Sequence, residues 1–123
     1  MRGHFENDQL YLNLDIAGTF PSTRKIIKAQ IDTGYSGYLT LSYADAFPLG
    51  LVLIGTTAYT IADGSVMHTF VCIGTVTVDK KKITAPIDIN PKGSILIGMK
   101  LLKKIGYKLL VDFKKEHIEL NTA

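Results

Sequence analysis

The stretch "QIDTGYSGYLTLS", positions 30 to 42, sets one carboxylate, Asp32, directly after the apolar Ile31 and directly before a turn built on Thr33 and Gly34. A carboxylate that ends a buried strand must be hydrogen-bonded, paired or protonated, because burying an isolated charge is costly. Asp32 therefore needs a partner, and the chemistry such a group offers is proton transfer. Other residue types capable of chemistry are scattered. Cys72 stands alone between Val71 and Ile73, which excludes an internal disulfide and a cysteine-based zinc cluster and reads as a small buried hydrophobe. His4, His68 and His117 are isolated and read as solvated or core histidines, so no metal and no cofactor is expected.

The bounds of the chain are consistent with one working unit. Its 123 residues, 46% hydrophobic and 20% charged, describe a single globular domain over 1–123. The start, "MRGHFENDQ", is too polar for a secretory signal, and no apolar run approaches the about 20 residues of a membrane helix. A cytoplasmic protein without a membrane partner is the expectation. The net charge of +3 comes from 14 basic and 11 acidic residues, and "DKKK" lies between two strand-like runs. It reads as a solvated turn, so no nucleic-acid partner is expected.

Alternation dominates the elements that must position Asp32. In "LYLNLDI", Leu10, Leu12, Leu14 and Ile16 share one face, the period of a half-buried strand. "KIIKAQID" is a second strand, reached through a turn containing Gly18 and Pro21, and "YLTLS" is a third. "SYADAF" offers a serine N-cap with Asp45 in the first turn, which predicts a short helix ending near Pro48. "TTAYTI" and "VMHTFVCIGTVTV" flank "ADGS", predicting a long hairpin with Asp63 and Gly64 at its tip, both at positive φ. Gly74 predicts a bulge or bend in the second arm, and Pro86 predicts that "ITAPIDI", with Ile83, Ala85, Ile87 and Ile89 inward, is an edge strand. "SILIG" is a short apolar strand, "MKLLKKIG" a helix capped by Gly106, and "YKLLVDF" with "EHIEL" a closing hairpin. The sum is eight or nine strands and one or two short helices: an all-β domain, closed into a small barrel, with its best helix near the end.

Three units stand out in order: strand-Asp32-Thr33-Gly34, the hairpin tipped by Ala62, Asp63, Gly64 and Ser65, and the apolar strand Ile95–Ile97 running into Gly98 and a helix. Together they resemble the retropepsin-like aspartic proteases, the single-domain homodimeric branch that includes the retroviral enzymes, and in particular the small bacterial members. The resemblance implies a homodimeric all-β barrel that hydrolyses peptide bonds in an extended peptide or unfolded protein, with Asp32 catalytic. It implies that Thr33 and Gly34 support the active-site loop and the dimer, and that residues 62–65 form a flap. Ile97 and Gly98 then pass under the site.

Hydrolysis without a metal or covalent intermediate needs an activated water and a protonated leaving amine, which two carboxylates sharing one proton supply. This sequence has only one Asp-Thr-Gly, so the second carboxylate is expected from a second copy, Asp32 meeting Asp32 across a two-fold axis. Three departures from the family pattern are visible: Tyr35 stands where most retroviral proteases carry alanine, Met99 and Lys100 follow Gly98 where a charged residue, often Asp or Arg, is frequent, and Asp63 adds charge to a flap tip that is often neutral. A domain of the same fold that binds a peptide without cutting it is the alternative expectation.

Overall fold

The computed structural model describes residues 1–18, 23–60, 62–90 and 93–122. The first two strands are β1 (His4–Glu6) and β2 (Gln9–Ala17), followed by β3 (Arg24–Ile31), β4 (Leu39–Ser42), β5 (Val52–Thr60) and β6 (Val66–Val78). Then come β7 (Lys81–Asn90), β8 (Leu96–Ile97), β9 (Lys108–Asp112) and β10 (His117–Asn121), with α1 (Tyr43–Ala46) after β4 and α2 (Met99–Ile105) after β8. Eight strands form one sheet in the order β1-β2-β3-β8-β4-β7-β6-β5, with an additional β2–β6 pairing, and β9 and β10 form a second.

Period-two alternation builds the core as expected. Leu12, Leu14 and Ile16 are buried on β2, as are Ile83, Ala85, Ile87 and Ile89 on β7, and they meet Leu101 and Ile105 of α2 and Ile118 and Leu120 of β10. Leu10 is only half-buried at the margin. Cys72 is buried, and burial pushes its thiol pKa up, as for a small hydrophobe held away from water. Ser42 caps α1, its hydroxyl accepting from Asp45 N at 3.3 Å, and a 3-10 turn over Phe47–Leu49 carries the helix past Pro48 to Gly50 at φ 60°. Gly106, at φ 72°, ends α2 with its N–H on Leu102 O.

Several expectations need correction. The described residues hold ten strands, because β1 pairs with β2 through a two-residue turn, Asn7 and Asp8, at φ 48° and 62°. That is the twisted turn that tight hairpins favour, here made without glycine. At the β5–β6 tip only Gly64 has positive φ, 86°, while Asp63 does not. Gly74 makes no bulge: the β6–β7 register runs unbroken through it, and the irregularity lies in β5 between Leu53 and Gly55. Instead β6 changes neighbours there, pairing β5 up to Ile73 and β2 from Thr75. A Cβ on Gly74 would lie 2.8 Å from Ile87 and 2.9 Å from Leu51, so glycine allows this close approach. β7 is not an edge strand in the sheet order, yet its pairing with β4 begins only at Ile87, so Pro86 removes no N–H from that ladder. Gly18 N closes the β2–β3 turn on Thr23 O at 3.1 Å, and Pro21 lies outside the described residues.

Candidate active site

Asp32 follows the last residue of β3, and what holds it is β8. The two-residue β8 inserts between β3 and β4, strands consecutive in sequence, pairing parallel to β3 (Ile31 with Ile97) and antiparallel to β4 (Leu39 with Ile97). Asp32 N donates to Ile97 O at 3.0 Å and Gln30 N to Ile95 O at 2.9 Å. The connection 32–38 therefore arches over β8. Its return is also tied: Gly98 N donates to Tyr38 O, Met99 N to Tyr35 O and Lys100 N to Gly37 O, at 2.9, 2.9 and 3.0 Å. The last two are N–H groups of the first turn of α2, which lack a partner within the helix and whose N-cap, Gly98, has no side chain to offer. The loop's carbonyls fill that need, so the helix start and the Asp32 loop are one hydrogen-bonded unit.

Within the loop, Asp32 is half-buried and its Oδ1 accepts from Gly34 N at 2.9 Å, while Tyr35 N donates to Asp32 O at 3.1 Å. The carboxylate is thereby oriented by a backbone dipole. Thr33 and Gly34 are exposed above it. Tyr35 turns its ring over Gly37, where an added Cβ would lie 2.3 Å from the hydroxyl, and donates that hydroxyl to Asp88 Oδ2 at 2.6 Å. Gly98 sits equally tight, with an added Cβ 2.1 Å from Gly37 O and 2.7 Å from Tyr35 Cδ2. Thr40, buried, ties β8 from the other side, its hydroxyl donating to Ser94 O at 2.8 Å and accepting from Leu96 N at 2.9 Å.

Beside this loop opens a cavity of about 310 Å³ walled by Tyr35, Gly37, Tyr38, Thr57, Val71, Asp88 and others, which joins the Asp32 loop to the β5–β6 hairpin. Its wall is largely polar, with the Asp88 carboxylate and Lys100 set among the hydroxyl-bearing Tyr35, Ser36, Tyr38 and Thr57, and with Val71 and Pro86 as its apolar part. A more apolar cavity of about 320 Å³, lined by Tyr43, Phe47, Leu53, Phe70 and Cys72, lies on the other face of the same strands, since side chains alternate along β6. None of the residues of the 32–38 loop lines it.

The hairpin tip is exposed at Ala62, Asp63, Gly64 and Ser65. Asp63 Oδ1 accepts from Ser65 Oγ at 2.6 Å and from Ser65 N at 2.8 Å. The Ser65 hydroxyl first, and its backbone N–H second, hold the Asp63 pKa below the usual carboxylate range. The charge noted at the tip thus closes a local turn.

The expected residues consequently fall into two groups. Asp32, Thr33, Gly34, Ile97 and Gly98 are brought together in one hydrogen-bonded block; residues 62–65 lie at the end of a separate arm. Sequence reasoning missed the Tyr35–Asp88 bond, Gly37 and Thr40. The close pair of glycines in "GYSG" hinted at a crowded loop, but nothing local joins Tyr35 to a residue on β7. Among the described residues no three metal-ligating side chains cluster, and no helix is long and apolar enough to cross a membrane.

Comparison with known proteins agrees with this architecture. No family model matches the sequence, and no curated protein matches it either. Solved structures do match. EIAV protease in complex with an inhibitor is 16% identical, with a TM-score of 0.65 over 85% of this chain and 95% of that one. Simian foamy virus (mac) protease is 21% identical, with a TM-score of 0.56 over 81% and 99%. The retroviral protease-like domain of Ddi1 from Leishmania major is 14% identical, with a TM-score of 0.53 over 92% and 90%. The fold is retropepsin-like.

Proposed function

We propose that this chain is an aspartic endopeptidase working as a homodimer, each copy lending Asp32 to one shared dyad. The observation that carries the reading is the construction around Asp32: a single carboxylate, oriented by Gly34 N, on a loop whose both ends are hydrogen-bonded to β8 and α2. A site built this firmly around one aspartate has half of what metal-free acid–base hydrolysis requires. Two aspartates in close approach cannot both be ionised, so the pair shares one proton and titrates as a unit. The ionised member takes a proton from water as its oxygen attacks the scissile carbonyl and the neutral member protonates the carbonyl oxygen; as the C–N bond breaks, the first carboxyl passes its proton to the leaving amine and the second recovers one from the collapsing diol.

The remaining parts take roles around that step. The additional β2–β6 pairing supports a sheet closed into a barrel, and β3 and β8 are fixed relative to one another by their own parallel pairing. Thr33, exposed beside Asp32, bonds reciprocally with the partner's loop, and Gly34 lets substrate backbone approach. The β5–β6 arm closes over an extended peptide, which pairs as an added strand. Tyr35 and Asp88, bonded to each other, then form part of the polar wall of the cleft.

The test is mass-spectrometric detection of new peptide termini after a denatured proteome digest is incubated with wild type and with Asp32→Asn at about pH 4 to 7, where carboxylate dyads titrate. The asparagine keeps an oxygen for Gly34 N, so the loop survives the change. Cuts by wild type alone are expected. Cuts by both proteins would overturn the assignment of Asp32. Silence from both, with peptide still bound, would favour a binding module of the same fold.

A further inference from the structure

The charged side chains are distributed unevenly. Around β1, β2 and β3 cations meet carboxylates: Arg24 pairs with Asp15, Lys25 with Asp45 and Lys28 with Glu6, the last two at 2.8 Å. Along α2 and the start of β7, by contrast, Lys81, Lys82, Lys100, Lys103 and Lys104 are all exposed, and among the described residues none of them pairs with a carboxylate. Two of them reach backbone oxygens instead, Lys81 Nζ donating to Ile105 O and Lys104 Nζ to Thr84 O, each at 2.8 Å. Those bonds tie α2 to β7 and leave both charges in place. The Lys100 and Lys104 ammoniums also gather over one ring, 5.9 and 5.8 Å from the centroid of Tyr38.

This placement opposes the helix's own preferences. Lys103 and Lys104 suit the C-terminal end of the helix dipole, but Lys100 stands in the first turn, where a cation is disfavoured, and four residues from Lys104, where like charges repel. α2 holds no acidic residue to offset them. An anion from outside the chain would remove the conflict, and a cation set against local preference is a mark of function. The face is also continuous with the cleft. Along β7, Ile83, Ala85 and Ile87 are buried in the core, so Lys82, Thr84, Pro86 and Asp88 alternate outward, and Pro86, Asp88 and Lys100 line the cavity beside the Asp32 loop. A chain leaving that cavity along β7 meets Lys104 and then Lys82 and Lys81. Lysines without arginine suit a string of mobile carboxylates and lack the fork that grips a phosphate in two places. The ring this row carries, Tyr38, is half-buried beneath two ammoniums, which leaves it closed to base stacking.

We propose that the face formed by α2 and the start of β7 docks an acidic polypeptide segment, with Lys100 and Lys104 binding it where it meets the cleft and Lys81, Lys82 and Lys103 extending the site. On the peptidase reading, on which this last step rests, the segment belongs to the substrate and flanks the cut. Docking is measured without cleavage, by fluorescence anisotropy of a labelled octaglutamate peptide and, as a second probe, a labelled oligothymidylate. Wild type is compared with Lys100→Gln/Lys104→Gln and with Lys114→Gln/Lys115→Gln, which removes the same charge from the exposed β9–β10 turn, and thermal melts check that each is folded. The α2 variant should bind octaglutamate about tenfold more weakly than wild type and the turn variant within about twofold of it. Binding should also weaken as salt rises above about 0.1 M. No binding of octaglutamate, or equal weakening in both variants, would overturn the site. Tighter binding of oligothymidylate, lost with the same two lysines, would overturn it in favour of a nucleic-acid face. In the cut-site map of a denatured proteome digest, Asp and Glu should be enriched beside the cuts made by wild type and less so beside those of the α2 variant. Cuts with no acidic enrichment would overturn the substrate step and leave the peptidase reading standing. Octaglutamate binding that depends on Lys100 and Lys104, with no cuts at all, would uphold the docking face and overturn the peptidase reading.

Discussion

The Asp32 loop and the β5–β6 arm both end in a turn with an aspartate and a glycine, yet they are built in opposite ways. The loop, residues 32–38, is crossed by hydrogen bonds from β8 and α2, and its two crowding points, Gly37 and Gly98, leave no room for a methyl group. The arm is held beyond its base by its own two strands, Gly64 has open space around it, and Val66, Leu53 and Ile54 are exposed at 58%, 58% and 55%. Few buried contacts put a segment at the low end of local stability. The contrast separates two demands: a reacting carboxylate must keep its position, whereas a cover must open to admit a chain and then close.

The largest effect expected is on chemistry. Asp32→Asn should lower peptide cleavage by about 10³-fold or more while leaving the melting temperature nearly unchanged, because the Gly34 N bond is kept. Next comes one substitution made in each region. Gly98→Ala drives a methyl group to within 2.1 Å of Gly37 O, a backbone atom that cannot step aside. It should cost about 3 kcal/mol or more in denaturant unfolding. Gly64→Ala has no steric conflict, only the penalty of φ 86°, and should cost about 1 kcal/mol. Equal losses at the two glycines would break the comparison.

Tyr35→Phe removes the hydroxyl donated to Asp88 and should cost about 1–2 kcal/mol, with a change in the preferred residues flanking the cut site. The smallest effect is a pH response at the tip. The Asp63 pKa is lowered in the folded state, so its contribution is fully present above the unfolded value near about 3.9 and is lost as pH falls through the folded one. Amide exchange at 63–66 should accelerate below about pH 4, and Ser65→Ala should raise that onset, with the global melt unaltered. Exchange insensitive to Ser65 would remove the tip turn from the account.

How much of this was legible follows from the range of each interaction. The inward faces of β2 and β7, the Ser42 cap, the Gly106 stop and the long hairpin are local, and a period or a cap residue announces each. The order Asp32 early, Gly98 late could be matched to a known pattern, but the reason for Gly98 could not be read, since its crowding comes from Gly37 and Tyr35, more than sixty residues upstream. β1 escaped because three residues carry almost no period and its turn uses Asn7 and Asp8 in place of glycine. Gly74 and Pro86 were noticed as strand irregularities, and both mark places where a strand gains or changes a neighbour, which depends on sheet order and not on the strand's own sequence.

The most direct measurement of the central claim is the cleavage rate of a fixed total of protein as wild type is replaced by Asp32→Asn under conditions where subunits exchange. If one Asp32 from each copy makes the site, only dimers with two wild-type chains cut, and an equal mixture should retain about one quarter of the wild-type rate. Retention of about one half, as for chains that cut independently, or about three quarters, as for a dimer in which one Asp32 suffices, would contradict the shared dyad.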